Sequence, residues 1–484
     1  MSKLDDLNSW HSNWSELRAV VYGLGVTGFS VADTLNELGT KVLVVADKAE
    51  DGIVDILDVL GVEYLIGESP EAVSTRVSEF SPEIVITSPG VRPDNEFLLQ
   101  LQASEINVWT DIDLAWRLRD KSGRASEWIC ITGTNGKTTV TQLVEKMLLT
   151  AGVRAVACGN IGVPILDVIR DPADFEVLVV ELSSFQLHYT NSIEPLASVV
   201  LNLAEDHLDW HGSMDEYSRT KGKIYNNTRV CCVYNVGDKS TSELLNESNN
   251  TESAQAVGFT VNTPAPNEIG WVEDILVDRA FVDDPSVALE LASLADLSDT
   301  IVVSPHLMAN IAAASALARA AGVQPSEISL ALQEFKLDAH RIELVLVKDG
   351  ISWVDDSKAT NPHAAAAALS SFDSVIWIVG GLLKGVDISD LVSRYSAKVK
   401  AAIVIGLHRE PVLEAFASLS PNTNVFEIPS ESSEIMQDVV VVAKSLASSG
   451  DTVLLAPAAA SMDQFKDYAQ RGELFAQAVK REVS

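Results

Sequence analysis

Seven consecutive residues carry the strongest chemical signal in the chain: Gly133-Thr134-Asn135-Gly136-Lys137-Thr138-Thr139. They follow an apolar run, Trp128–Thr132, that reads as a buried strand, and they open a helix. In such a loop the backbone N–H groups cradle phosphate oxygens, the lysine neutralises the β and γ groups, and the hydroxyl after it holds Mg²⁺. The spacing departs from the standard phosphate loop, because the place of its first glycine is taken by Ile131. Glu181 ends a second apolar run, Val177–Val180. Alone it reads as a solvated strand end. Beside a phosphate loop, at the carboxyl edge of an open α/β sheet, it reads as a second Mg²⁺ ligand.

Similar residue types recur after other apolar runs. Gly23-Leu24-Gly25-Val26-Thr27-Gly28 lies between a strand at Arg18–Tyr22 and a helix running through Leu38, and Asp47 ends the next strand, Lys41–Val45. That is roughly the ~20-residue spacing of a dinucleotide fingerprint. The glycines admit a pyrophosphate to helix N–H groups, and the carboxylate accepts from ribose or base. The motif does not separate NAD from another nucleotide diphosphate, and a tight turn without ligand has the same spelling. Ala204–Asp209 places His207 among acidic residues after the strand Ser198–Leu203, as a nitrogen ligand for a metal or as a packing or capping histidine. His211 follows four residues on, without the glutamate of a zinc-protease helix. Lys221 reads by itself as a surface helix lysine. Asp355–Asn361 crowds acid, hydroxyl, amine and amide groups into one turn, suited to a polar ligand or to helix capping by Asp356 or Ser357. Lys384, after Gly380 and Gly381, suits a carboxylate or phosphate. Ser461 is placed to open a helix, as a donor to a carboxylate or as its cap.

The elements that must position these residues repeat as apolar run, turn, amphipathic segment, the signature of α/β domains with mostly parallel sheets. With 484 residues, the chain exceeds the ~250–300 that one core supports. We read three domains: 1–125, with a further strand at Glu83–Thr87 and a linker at Asp120–Ser126; 126–340, with a buried helix at Ala309–Ala321; and 341–484, with strands at Ile351–Val354, Val375–Val379, Ala401–Ile405 and Thr452–Leu455. The polar stretch Gly237–Gln255 reads as a surface excursion without a site. The formal net charge of −33 argues against non-specific binding to nucleic acid or an anionic membrane. Four cysteines without a CxxC pair fit a reducing cytosol, the N-terminal residues lack the apolar segment of a signal peptide, and no run approaches a membrane span.

Together, Gly133–Thr139, Gly159–Gly162, Glu181–Leu187, Glu205–Asp209, His340-Arg341, Asp355–Asn361 and Asp463–Phe475 resemble the Mur ligase family, ATP-dependent amide-forming enzymes of peptidoglycan precursor synthesis. Within the family the resemblance is to members that add D-glutamate to UDP-N-acetylmuramoyl-L-alanine. It implies a cytoplasmic monomer of three α/β domains: an N-terminal Rossmann-like domain, a central phosphate-loop ATPase-like domain and a C-terminal Rossmann-like domain. It implies ATP on Gly133, Thr134, Asn135, Gly136, Lys137, Thr138 and Thr139, with Asn310, Arg341, Asp356 and Lys358 contacting the nucleotide. Thr138, Glu181, His207 and a carbamylated Lys221 match its Mg²⁺ positions. Val26 and Thr27 match diphosphate contacts, Asp47 and Lys48 uridine contacts, and Asn160 and Ser183 the sugar–alanine arm. Thr360, Lys384 and Ser461 match positions that hold D-glutamate. Leu383, Ala456, Ala459 and Tyr468 depart from residues common in relatives.

The implied reaction is attack of a substrate carboxylate on the γ-phosphate of ATP, then attack of the amino-acid amine on the acyl phosphate, with Lys137, His207 and Lys221 at its centre. A nicotinamide oxidoreductase built on Gly23–Gly28 and a phosphate-loop switch or motor are the rival classes; titration with NADH and UDP, and phosphate release without an amino acid, separate them.

Overall fold

The computed structural model describes residues 4–49, 52–190, 193–249, 254–284, 286–297, 303–336, 339–429, 432 and 434–483. Three sheets follow one another along the chain. The first contains β1 (Arg18–Tyr22), β2 (Lys41–Ala46), β3 (Glu63–Ile66), β4 (Ile84–Thr87) and β5 (Asn107–Trp109), all parallel, in the order β3-β2-β1-β4-β5. Its order reverses at β1. Loops leaving the carboxyl ends of strands diverge there and leave a crevice, and Gly23–Gly28 occupies it. A Cβ on Gly28 would lie 2.0 Å from the Gly23 carbonyl oxygen. Glycine at this position lets the helix Val26–Glu37 start against the strand end.

The second sheet has nine strands: β6 (Glu127–Thr132), β7 (Ala155–Gly159), β8 (Val177–Glu181), β9 (Ala197–Val200), β10 (Cys231–Asn235), β11 (Gln255–Phe259), β12 (Glu268–Val272), β13 (Ile275–Asp278) and β14 (Leu289–Ser293). The order is β14-β13-β12-β11-β10-β9-β6-β8-β7. The switch falls at β6, between β8 and β9, so Gly133–Thr139 lies in a crevice as well. β12, β13 and β14 form an antiparallel end that the α/β reading of the sequence did not include. The third sheet has the order β15-β16-β20-β17-β18-β19, with β15 (Glu343–Lys348), β16 (Ile351–Asp355), β17 (Val375–Gly380), β18 (Val399–Ile405), β19 (Asn424–Glu427) and β20 (Thr452–Leu455). Only β15 is antiparallel among its described pairings.

One apolar core runs across the first two sheets, where Trp116 meets Trp128 edge-on at 5.1 Å. A second fills the opposite face of the middle sheet beneath the helices Lys137–Thr150 and Pro305–Ala320. Apolar runs of four to six residues buried on both faces are what covered parallel strands require.

Several local expectations change. The helix expected at Ala309–Ala321 spans Pro305–Ala320 instead, because Ser304 caps it and Pro305 takes its first turn. The polar stretch after Gly237 contains the helix Lys239–Glu247. Its Thr241, Leu244 and Leu245 are buried, and the capping Asp238 also accepts from Leu203 N at 2.8 Å. Residues 250–253 of that stretch lie outside the described ones. The apolar run Ser198–Leu203 is strand only to Val200. Neither Asp356 nor Ser357 caps a helix: Asn361 caps Pro362–Ser370. Ser461 opens no helix, since the last one begins at Tyr468 behind its cap Asp467.

Candidate active site

The phosphate loop is held open by its own side chains and by a neighbouring strand end. Gly136 has φ +86°, and a Cβ there would lie 2.5 Å from Asn310 Oδ1, so residue 136 has no room for a side chain. Lys137 folds back and donates from Nζ to the Gly133 and Thr134 carbonyls, both at 2.9 Å. Asn202 clamps Asn135 twice: its Oδ1 accepts from Asn135 N at 2.9 Å and its Nδ2 donates to Asn135 O at 3.0 Å. Asn202 was not singled out in the sequence. Its signal is a polar residue interrupting an apolar run at a strand's carboxyl end.

Beneath the loop lie Glu181 and Lys221, each nearly inaccessible to water. Glu181 Oε1 accepts from Asn160 Nδ2 at 3.0 Å, while Oε2 is buried with no hydrogen-bond partner among the described residues. Lys221 is no surface residue. Its Nζ donates to Gly133 O at 2.9 Å and Thr132 Oγ1 at 3.3 Å, and the ammonium lies 4.8 Å over the Tyr217 ring. Burial, then the nearby Lys137 charge, holds its pKa well below the usual lysine value. Burial lowers Lys137 too, with Glu181 and Asp206 opposing. His207 has a left-handed backbone, φ 53°. Burial depresses its pKa, and the Lys384, Lys221 and Lys137 charges act in the same direction against Asp206. The buried Glu181 Oε2, unpartnered among the described residues, fits a divalent cation.

In front of the loop is a cleft lined by Asn135, Gly136, Thr139, Asn310, Arg341, Asp356 and Lys358 among others. Seven of the eleven residues that the resemblance assigns to ATP thus line one cleft, drawn from the second-sheet region and the third; Gly133, Thr134, Lys137 and Thr138 are not in its lining. Ser304, His306 and His363 line it as well and had escaped notice. Burial pushes Asp356 up to about 8, with Arg341 opposing, and its Oδ1 accepts from Ile342 N at 3.2 Å. Burial pushes His306 down to about 4.

Lys384 and Ser461 come from different loops that an antiparallel bridge joins, Leu382 N to Ala460 O at 2.9 Å and Ala460 N to Leu382 O at 3.0 Å. Ser461 is buried, whereas Thr360 is half-buried. Ala456 and Ala459 are fully buried, and Ala459 O accepts from the buried Arg471 at 3.2 Å. Val26, Asp47 and Lys48 are exposed and Thr27 half-buried at the carboxyl edge of the first sheet, outside the cleft. Ser183 caps the helix Ser184–Tyr189 in a reciprocal pair with Gln186.

Residues 131–318 match the model of the Mur ligase middle domain and residues 340–459 that of the Mur ligase, glutamate ligase domain. A Leifsonia xyli protein named UDP-N-acetylmuramoylalanine–D-glutamate ligase is 52% identical, with 99% of this chain and 95% of the relative covered. The chain belongs to the Mur ligase family. A Streptomyces avermitilis protein of the same name is 43% identical over 97% of this Mur ligase and 99% of the relative. In fold, it is similar to the crystal structure of MurF from Acinetobacter baumannii, with TM-score 0.59, 15% identity, and 96% and 93% of the two chains covered.

Proposed function

We propose that this Mur ligase is an ATP-dependent ligase that joins D-glutamate to UDP-N-acetylmuramoyl-L-alanine through an acyl phosphate, in peptidoglycan precursor synthesis. The observation that carries the ATP half is the shared cleft. Asn135 and Gly136 of the phosphate loop and Arg341, Asp356 and Lys358 of the third-sheet region line the same space. The choice of acceptor and amino acid is supported by the names of relatives at 52% and 43% identity along nearly the whole chain.

The chemistry is charge management on a protein of net charge −33. A carboxylate must approach a triphosphate, so positive groups have to be in place before the two anions meet. The N-terminus of helix Lys137–Thr150 and the loop N–H groups bind phosphate oxygens, and Lys137 exchanges its two carbonyl partners for them. The substrate carboxylate attacks the γ-phosphorus, the bond to the bridging oxygen breaks, and ADP leaves. The D-glutamate amine then attacks the acyl carbon, loses a proton, and phosphate departs.

Thr138, Glu181, His207 and carbamylated Lys221 would hold Mg²⁺, which supplies Lewis-acid neutralisation of phosphate charge. Asn310 orients the nucleotide with Arg341, Asp356 and Lys358. Val26, Thr27, Asp47 and Lys48 hold the UDP group, and Asn160 and Ser183 the sugar–alanine arm. Thr360, Lys384 and Ser461 hold D-glutamate. Domains at 1–125, 126–340 and 341–484, a monomeric state and a cytoplasmic location complete the reading. Three successive sheets support the division into three domains. The test is phosphate release from ATP by the purified chain. Release that needs both UDP-N-acetylmuramoyl-L-alanine and D-glutamate supports the ligase; release with neither, or with L-glutamate equally, overturns it.

A further inference from the structure

His211 lies four residues beyond His207 and does not face the cleft, yet it is 8% exposed and central to a cluster of rings. Its Nε2 and Ser184 Oγ are 2.9 Å apart, while Nδ1 is buried with no hydrogen-bond partner among the described residues. The Phe185 ring stacks on His211, with centroids 5.8 Å apart and planes at 20°. The same Phe185 ring meets His207 edge-on at 4.8 Å. On its other side His211 meets Tyr217 at 5.2 Å, and Tyr217 Oη bonds Thr134 Oγ1 of the phosphate loop at 3.0 Å.

The segment carrying His207 cannot hold this geometry unaided. His207 has φ 53°, and the helix after it, Leu208–His211, has four residues before Gly212. A single helical turn is unstable without tertiary anchors, and a left-handed non-glycine residue costs about 1–2 kcal/mol. Something outside the segment must fix it, and Ser184 and Phe185, next to the capping Ser183, are among its fixed points, with Tyr217 against His211 and Arg92 bonded to the Asp209 carbonyl.

We propose that His211 is a positioning residue for the candidate metal site: its bond to Ser184 and its stack on Phe185 hold His207 in place to ligate a divalent cation. The inference rests on the reading of His207 as a ligand. It assigns His211 no contact with substrate. One imidazole does two separable things. Phenylalanine at 211 keeps the ring without the bond, and glutamine, whose Nε2 lies near the position of the histidine Nε2, keeps the bond without the ring.

The test is Mn²⁺ binding to the purified full chain in the presence of ADP, read by electron paramagnetic resonance, for wild type, His211→Phe, His211→Gln, Ser184→Ala and His207→Ala. Loss of residues that orient a metal ligand costs roughly 10–100-fold in affinity. We expect about 10-fold weaker Mn²⁺ binding for His211→Phe and for Ser184→Ala, and no further loss when the two are combined, because they remove one bond. His211→Gln should recover part of the loss. Melting temperatures near wild type exclude general unfolding; if His211→Phe does not fold, Ser184→Ala carries the test. Wild-type Mn²⁺ binding by His211→Phe and Ser184→Ala, with binding lost in His207→Ala, overturns this proposal alone. Wild-type binding by His207→Ala overturns the ligand reading and this proposal with it.

Discussion

Asn135 of the phosphate loop and His363 of the helix Pro362–Ser370 meet through Nδ2 and Nδ1 at 2.9 Å. Asn361 Nδ2 adds a bond to Asn135 Oδ1 at 3.2 Å. The Gly133–Thr139 loop is thereby tied to the third-sheet region that carries Arg341, Asp356 and Lys358. Asn202 fixes the Asn135 backbone while these two residues fix its side chain, so all of its polar groups are engaged across the cleft mouth.

Asn135→Ala removes both side-chain bonds and keeps the Asn202 clamp. Each such bond is worth about 0.5–1.5 kcal/mol net. Two such bonds set an upper range of about 5- to 150-fold for the rise in the KM for ATP, with a smaller change in the KM for the amino acid. Steady-state kinetics checks it, and an unchanged KM for ATP would show that the tie does not bear on nucleotide binding.

Lys137→Ala removes the charge that, in the proposed function, turns from the Gly133 and Thr134 carbonyls to the developing phosphate anion. Loss of one pre-organised electrostatic donor costs about 10²–10³ in kcat. The fold should survive, because the Asn202 clamp and the Gly136 turn remain. Rapid-quench or steady-state phosphate release measures the loss, with circular dichroism as the control. Turnover close to wild type would contradict the placement of ATP on this loop.

Asp111 gives a pH dependence of stability. Its carboxyl is buried beside Asp113 at the start of the helix Asp111–Leu118, and burial first of all pushes it up to about 7. Its partner is Gln186 on the helix Ser184–Tyr189, across the boundary between the first two sheets. A raised folded pKa means that the unfolded chain releases this proton first. The stabilising contribution is therefore complete below about pH 4 and declines as pH rises toward and through about 7, by at most about 1.4 kcal/mol per pH unit. Asp111→Asn should abolish that part of the slope. Urea unfolding at pH 5, 6, 7 and 8 reads it; parallel curves for the two proteins would refute it.

Arg170 joins the first two sheets. It bonds Asp33 Oδ2 at 2.6 Å and Glu37 Oε2 at 2.7 Å on the helix Val26–Glu37, whose first turn carries Val26 and Thr27. The groups are a quarter to two-fifths exposed, so screening keeps the effect small. Arg170→Ala should cost about 1 kcal/mol of stability in low salt and less in 1 M NaCl. Denaturant melts at the two salt concentrations distinguish this from a packing loss, which salt would not relieve.

Much of the architecture was legible in the sequence because its signals are local. Apolar runs marked buried strands, glycines marked turns at strand ends, and their order along the chain gave an α/β fold of consecutive sheets. Motif spelling was enough to reveal the family. Local signals failed where a residue's state depends on remote packing. Lys221 has the spelling of a surface lysine, yet it is buried because the Thr132 hydroxyl, the Gly133 carbonyl and Tyr217 close over it. Asp356 and Ser357 looked like caps, but the cap is Asn361, whose side chain also reaches Asn135, 226 residues away in sequence. His363 has no local mark of its task, and Asn202 only a polar break at the end of an apolar run, since each acts only once a distant loop is brought to it. Residue type and period follow from sequence alone; burial, partner and charge environment follow from which distant segments share a crevice, and the packing of whole sheets and helices decided that.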